Sequence, residues 1–154
     1  MNEALAAALD GHPALEAVDG HHRVGTLAVE ATVAVEGDGL VVRVALPALG
    51  VVVRDAVVPE VVEDGWFETL RRRLEDGYDV ARSPAAAPVA VDRSPTAVTV
   101  RYALDPVDPR VGVADAKALA EFAQGTYVQG AIPGYEYDPP LGELLAGAWE
   151  AGDV

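Results

Sequence analysis

Residues 24–46 read VGTLAVEATVAVEGDGLVVRVAL, and this stretch decides the fold. Apolar residues occupy every second position on both sides of Gly37-Asp38-Gly39. The apolar face of the first run consists of Leu27, Val29, Ala31, Val33 and Val35, and that of the second consists of Leu40, Val42, Val44 and Leu46. A period of two is typical of a strand with one buried face, and a short Gly-Asp-Gly connection is typical of a hairpin. We therefore predict two antiparallel strands joined by a tight turn.

Helical and extended segments follow in both directions from this hairpin. Upstream, the sequence predicts a helix over residues 2–9 with Asn2 as its N-cap, then a helical turn over residues 13–18. Downstream, it predicts a strand at 51–54 and then a helix that Asp64 caps and that buries Trp66, Phe67, Leu70 and Leu74. Two strands follow, at 89–91 and 97–104. The last third is predicted to contain a helix at about 113–127 and a final helix that begins near Pro139 with Asp138 as its cap.

This order of elements predicts an α+β fold. The elements run α-β-β-β-α-β-β-α-α, and strands with a single apolar face need one layer of cover, which the helices supply. We expect an antiparallel sheet of about five strands packed on helices. The length of 154 residues suits one core, and no linker or repeat divides the chain, so we expect a single domain over 1–154.

Charge is the most unusual property of the composition. Asp and Glu number 25 against 11 Lys and Arg, which gives a net charge of −14, and Lys117 is the only lysine. The acids are dispersed along the chain, as on a folded acidic surface. Such a surface repels itself at low ionic strength, whereas molar salt shortens the Debye length to about 3 Å. The composition therefore predicts a halophilic protein of the cytoplasm.

The same composition argues against several classes of partner. An acidic surface repels phosphates, so we do not expect direct binding of nucleic acid. The basic run Arg71-Arg72-Arg73 is interleaved with Glu68 and Glu75, as on a salt-bridged helix surface. No apolar run is long enough for a membrane span, and the N-terminus lacks the basic region of a signal peptide.

The residues that carry chemistry are few. The histidines are His12, His21 and His22, and although imidazoles and nearby carboxylates can bind a transition metal, this spacing fits no established metal motif. Cysteine is absent, and neither serine lies in a nucleophile motif. We therefore predict no cofactor and assign no catalytic residue.

The segment 125–140, GTYVQGAIPGYEYDPP, concentrates aromatic residues, glycines and prolines. Tyr127 falls on the buried face of the predicted helix, whereas Tyr135 and Tyr137 alternate and share a face if the chain is extended. Two interpretations stay open. The segment is a hinge that covers the core between two helices, or the three tyrosines belong to a surface that binds a protein partner.

Two stretches resemble a known group of proteins. VVEDGWFETLRRRLED at 61–76 and VADAKALAEFAQGTYVQGAIPGYEY at 113–137 are similar to a family of small proteins confined to halophilic archaea and described only as of unknown function. The resemblance supports the salt-adapted source and implies no activity. The element order also resembles that of secretion-chaperone-like domains, which bind protein segments as dimers, at the level of topology alone.

Two hypotheses of function follow. The first is a non-enzymatic interaction protein, chaperone-like or adaptor-like, that binds a protein partner or a second copy of itself. The alternative is a small metal-dependent or small-molecule enzyme that uses the N-terminal histidines and carboxylates. An exposed apolar surface favours the first hypothesis, and a pocket lined by converging ionisable groups favours the second.

Overall fold

The hairpin at the centre of the sequence is the centre of the structure. The computed structural model describes the backbone of residues 1–152 and the side chains of residues 1–147. Its helices are α1 (Asn2–Asp10), α2 (Leu49–Val52), α3 (Glu60–Leu74), α4 (Pro109–Gln129) and α5 (Leu141–Gly152). Its strands are β1 (Leu15–Val18), β2 (His21–Val24), β3 (Glu30–Glu36), β4 (Gly39–Pro47), β5 (Val53–Arg54), β6 (Ala90–Arg93), β7 (Ala97–Leu104) and β8 (Glu136–Tyr137).

Six of these strands form one antiparallel sheet in the order β1-β2-β3-β4-β7-β6. The predicted hairpin is confirmed: Glu36 pairs with Gly39 across a two-residue turn in which Gly37 has a φ of +60°. The strands predicted near 89–91 and at 97–104 are also confirmed, as β6 and β7. The α+β class is therefore confirmed, with six strands in place of about five.

The helices form a single layer on one face of the sheet. Helix α4 packs on β4 and β7, and α1, α3 and α5 each pack against α4. The sheet residues under this layer are fully buried: Ala31, Val33, Leu40, Val42, Val44, Leu46, Val98, Val100, Tyr102 and Leu104. From the helical side, Leu70 and Leu74 of α3 and Leu119 and Tyr127 of α4 complete the core. The fold is thus a two-layer sandwich with its core between the layers.

Pairing between neighbouring strands overrides two of the local predictions. The segment predicted as a helical turn at 13–18 contains β1, which pairs with β2 across a turn at Asp19 and Gly20, both with positive φ. An Asp-Gly turn of this kind is a hairpin signal. The strand predicted at 51–54 is a short helix, α2, followed by β5, which pairs with β8 and not with the main sheet.

The three predicted side-chain caps are wrong. Met1 occupies the N-cap position of α1, so Asn2 lies inside the helix. Helix α3 begins at Glu60 after Pro59, which leaves Asp64 within the helix, where its carboxylate pairs with Arg93 at 2.8 Å. Asp138 precedes α5 by two residues and forms a 2.7 Å ion pair with Arg54 of β5.

Helix α4 has a cap that the sequence analysis did not identify. The Asp108 carboxylate accepts hydrogen bonds from the N–H groups of Arg110 and Val111, and Pro109 stands at the first helical position. The helix therefore begins four residues before the predicted start at Val113. It ends at Gln129, with Gly130 as its C-cap, two residues beyond the predicted end at about 127.

Candidate interaction surface

No helix within residues 1–152 packs on one face of the six-stranded sheet. Side chains alternate between the two faces of a strand, so the residues between the core positions point away from the helical layer. This open face consists of Glu16 and Val18 of β1, His21 and Arg23 of β2, Glu30, Thr32, Ala34 and Glu36 of β3, Val41, Arg43, Ala45 and Pro47 of β4, Ala97, Thr99, Arg101 and Ala103 of β7, and Ala90 and Asp92 of β6.

The register of the strands arranges these residues in rows across the sheet. We call one of them the arginine row: Glu16, Arg23, Thr32, Arg43, Arg101 and Ala90 pair in succession from β1 to β6. Three of the 11 basic residues of the chain therefore lie in one line. Arg43 and Arg101 stand directly opposite each other on neighbouring strands.

Glu36 holds the two central arginines side by side. Its Oε2 lies 3.2 Å from Nη1 of Arg43, and its Oε1 lies 3.7 Å from Nη2 of Arg101. Two like charges in directly opposed cross-strand positions repel each other, and a carboxylate between them offsets that repulsion. The side chains of Arg43 and Arg101 remain 46% and 34% exposed, so the guanidinium groups are still open to a partner.

The rows on either side of the arginine row differ in character. On one side lies the apolar row, Ala34, Val41 and Ala103, of which Ala34 is partly exposed and Val41 and Ala103 are buried. On the other side lies the acidic row, Glu30, Ala45, Thr99 and Asp92, and beyond it the end pair, Pro47 and Ala97. Across the middle of the sheet the open face is therefore made of small side chains, with charges confined to defined positions.

An apolar depression extends the open face beyond the end pair. Its volume is about 330 Å³, and its lining includes Ala45, Ala97, Val51 of α2 and Pro140. Val51 is 51% exposed. The helical edge of the molecule thus adds apolar surface next to the sheet.

The three tyrosines of segment 125–140 do not form a common surface. Tyr127 belongs to α4, is fully buried, and donates a 3.0 Å hydrogen bond to the carbonyl of Pro47. Burial raises the pKa of Tyr127 above its ordinary range. A residue in this position contributes to the core and has no contact to offer a partner.

Tyr135 and Tyr137 lie on a loop that is tied to the body of the protein. The Tyr137 hydroxyl accepts a 2.8 Å hydrogen bond from the N–H of Ile132 and lies 3.0 Å from the Ile132 carbonyl, and the ring of Tyr135 meets that of Tyr137 edge to face. Tyr137 is 9% exposed, and Tyr135 is half-buried. Gly134, with a φ of +100°, supplies the bend. This geometry favours the hinge-and-cover interpretation.

The histidines lie in different surroundings. His22 Nε2 lies 2.7 Å from the Asp10 carboxylate, whereas His12 Nδ1 accepts the N–H of Ala14 and its ring lines a groove of about 900 Å³ between α1 and the start of α4. His21 lies on the open face beside Val18. Among the described residues, no three His, Asp or Glu side chains come close enough to hold a metal ion.

One arginine of the basic run on α3 is paired with nearby acids. Arg71 bridges Glu68 and Glu75 at 2.9 and 2.6 Å, and the Glu68 hydrogen bond raises the pKa of Arg71. Arg72 contacts the Glu68 carbonyl at 3.4 Å. On α4, Lys117 and Glu121 form an ion pair at 3.1 Å.

Sequence reasoning missed the open face, although the alternation carried the information. Thr32, Arg43 and Arg101 alternate with the apolar residues of their strands, but only the strand register aligns them into a row. That register depends on turn positions and on the pairing of β4 with β7, which joins distant parts of the chain.

Comparison with protein families matches residues 10–147 to DUF5813, described as a family of unknown function. A search among curated proteins finds no match. Within residues 1–152, every helix is too short or too polar to cross a membrane.

Proposed function

The chain belongs to DUF5813, a family of unknown function, and from this premise we propose that it is a non-enzymatic protein-interaction domain, chaperone-like or adaptor-like, whose docking surface is the open face. One observation carries the proposal: within residues 1–152 no helix packs on one face of the sheet, where small, partly exposed side chains lie between three arginines.

The composition of the open face distinguishes it from an ordinary solvated sheet. Antiparallel sheets often expose one face to water, and such faces are polar. On β3, β4 and β7 the open face instead carries four partly exposed apolar residues and two threonines between its charges: Ala34, Ala45, Pro47, Ala97, Thr32 and Thr99. Val41 and Ala103 of the same face are buried, at 4% and 6% exposure, and add little to the surface that a partner can reach.

The charges on the open face favour recognition over mere solubility. Arg43 and Arg101 are partly exposed, and both lie within 4 Å of the Glu36 carboxylate. Arginine is enriched at protein interfaces because its planar group binds carboxylates with two hydrogen bonds while its stem packs on apolar surface. The arginine row therefore supplies orientation, and the surrounding small residues supply contact area.

The proposed setting is the cytoplasm of a halophilic archaeon, in concentrated salt. The net charge of −14 and the single lysine support it. Ion pairs within 4 Å engage seven carboxylates of residues 1–147: those of Asp10, Glu36, Asp64, Glu68, Glu75, Glu121 and Asp138. Because most of the remaining acids face solvent, screening by ions is needed to limit their repulsion.

Site-specific crosslinking tests the proposal. Because the chain has no cysteine, a maleimide reagent labels only the cysteine that is introduced. Val18→Cys, on the open face at the sheet edge, is labelled with a maleimide benzophenone and irradiated in an extract of the native host in molar KCl. Val61→Cys, which is 78% exposed on α3, is the matched control. We expect a protein adduct from position 18 that position 61 does not give.

The adduct must depend on the open face itself. Adding Ala34→Lys places a charge in the apolar row, and we expect this change to abolish the adduct at position 18. Equal adducts from both positions, no adduct at all, or an adduct that survives Ala34→Lys would each contradict the proposed docking surface.

A further inference from the structure

We propose that the occupant of the open face is a second copy of this chain, packed face to face about a two-fold axis that runs across the strands between the arginine row and the acidic row. The inference rests on the proposed function and deepens it by naming the partner.

The order of the rows makes the open face complementary to itself. A two-fold axis at this position lays the arginine row of one copy on the acidic row of the other, and the apolar row on the end pair. Each strand then faces its own counterpart, and the partly exposed Ala34 lies near the level of Pro47 and Ala97, whereas Val41 and Ala103 are buried and add little contact. Self-complementarity of this kind is what a two-fold interface requires.

The charges pair across the same axis. Arg23 and Arg43 of one copy lie on the strands at either side of Glu30 of the other copy. Arg101 of one copy likewise lies one strand away from Asp92 of the other. Arginine side chains span one strand spacing of about 4.8 Å. Every acid of the acidic row therefore meets arginines of the facing copy, which fixes the register of the two sheets.

Net charge favours this surface over the rest of the molecule for self-association. The open face carries Arg23, Arg43 and Arg101 against Glu16, Glu30, Glu36 and Asp92, which leaves one net negative charge out of the −14 of the chain. Two copies that meet elsewhere bring most of their negative charge together. Two copies that meet through the open face keep that charge on their outer surfaces.

The dimensions of the open face suit a modest dimer. With this axis, four strands overlap across about 20 Å and over a similar length, so each copy offers about 400 Å² in projection. A pair buries about 800 Å², which is the size of a weak, transient interface. Small side chains allow the sheets to approach to about 10 Å, as in β-sandwiches. We expect a dissociation constant in the micromolar range.

A charge-swap series measured by analytical ultracentrifugation tests the inference. The wild type is expected to form dimers in a concentration-dependent manner. Arg43→Glu alone and Glu30→Arg alone each bring like charges together across the axis, and we expect each to weaken dimerisation at least about ten-fold. An equimolar mixture of the two variants restores both pairs, so we expect it to form a heterodimer.

Matched controls separate the interface from effects on folding or charge. Arg110→Glu makes the same change of charge on an exposed residue of α4, away from the open face, and is expected to leave dimerisation unchanged. Ala34→Lys, which inserts a charge into the apolar row, is expected to give monomers even in molar KCl. Circular dichroism confirms that each variant is folded.

Several outcomes would overturn the inference. They are a monomeric wild type at its highest soluble concentration, single variants that still form dimers, and a mixture that stays monomeric while both variants are folded. These results concern the dimer alone, and the crosslinking at Val18 tests the docking surface separately. An adduct there with a different protein sustains the proposed function without the dimer, and the lack of any adduct removes both.

Discussion

The hydroxyl of Tyr102, at the centre of the covered face of β7, donates a 2.7 Å hydrogen bond to the carbonyl of Leu74 at the end of α3. Tyr102 is fully buried, and the ring of Tyr78 meets it edge to face with 5.5 Å between ring centres. Burial raises the pKa of Tyr102, so the hydroxyl stays a donor at every ordinary pH. This bond fixes the helical layer against the sheet.

Tyr102→Phe removes this bond and little else. The Leu74 carbonyl then loses a buried partner, which costs about 1–2 kcal/mol in the free energy of unfolding. Urea unfolding in molar KCl measures the change. A difference from the wild type close to zero would mean that the carbonyl finds another donor and that the bond does not hold the layers together.

Gly77→Ala adds only a methyl group, but we expect it to lower the stability of the fold. A Cβ at this position would lie 2.5 Å from the Tyr102 ring, inside van der Waals contact, so the 3₁₀ turn at Gly77–Val80 or the ring must move. We expect a loss of about 1–3 kcal/mol. Gly125→Ala is the matched control, because its Cβ meets nothing within 4 Å and alanine favours the interior of α4. We expect that variant to be stabilised by up to about 1 kcal/mol, and equal effects of the two changes would contradict the packing argument.

Asp115 connects α4 to the loop before β6 and makes stability depend on pH. Its buried carboxylate accepts the N–H groups of Arg82 and Ser83 at 3.0 and 2.8 Å. Burial alone raises the pKa of Asp115, but these hydrogen bonds outweigh it, and the pKa is lower than in an unfolded chain. The stabilisation is therefore complete above the unfolded pKa of about 3.9 and is lost as pH falls through the folded pKa.

We expect Asp115→Asn to lower the free energy of unfolding by about 1–3 kcal/mol at neutral pH. The difference from the wild type should shrink as pH falls below about 4, where the wild-type carboxyl takes up its proton. Asp38→Asn, in the exposed hairpin turn, is the control and should differ little at any pH. A difference at Asp115 that stays constant into acid would show that the charge of the carboxylate is unimportant.

Tyr137→Phe tests whether segment 125–140 covers the core. The change removes both hydrogen bonds to Ile132, and we expect a loss of about 1–2 kcal/mol by thermal or urea unfolding. Tyr135→Phe should change stability by less than about 0.5 kcal/mol. Neither change should affect the adduct at Val18. Loss of the adduct on Tyr135→Ala, with stability retained, would revive the binding interpretation of this segment.

Removal of salt tests the salt-adapted source. We expect cooperative unfolding as KCl is dialysed from molar concentration to about 50 mM. The Debye length then increases, so the surface carboxylates repel one another over a longer distance. Circular dichroism and tryptophan fluorescence follow the transition. Complete folding at about 50 mM salt would show that the acidic surface does not require concentrated salt and would contradict the salt-adapted source.

Much of the sheet and the longer helices could be predicted because their signals are local. The alternation around Gly37 predicts β3 and β4 within the strands themselves, and the apolar stripe that includes Leu119 predicts α4. The Asp19-Gly20 turn is an equally local hairpin signal, and it predicts β1 in place of the helical turn at 13–18. The predicted caps Asp64 and Asp138 instead form ion pairs with Arg93 and Arg54, partners that are distant in sequence.

The open face lay beyond sequence reasoning for a different reason. Each of its residues is an ordinary outward position on its own strand, and nothing in the order of the chain reveals that Arg23, Arg43 and Arg101 share a line. The line exists only after three registers have been set, including the pairing of β4 with β7. A cross-strand arrangement is a tertiary property and has no counterpart in the spacing of residues along the chain.

The strand order also sets the sequence of events as the chain is synthesised. Each of the strands β1 to β4 pairs with the next one in sequence, so a four-stranded meander can form before residue 97 has left the ribosome. Closing β7 onto β4 is the one long-range step in the sheet, and it has the highest entropic cost. Helix α4, which follows β7 directly, then covers the apolar face, so the nascent protein exposes its core until the last third of the chain has emerged.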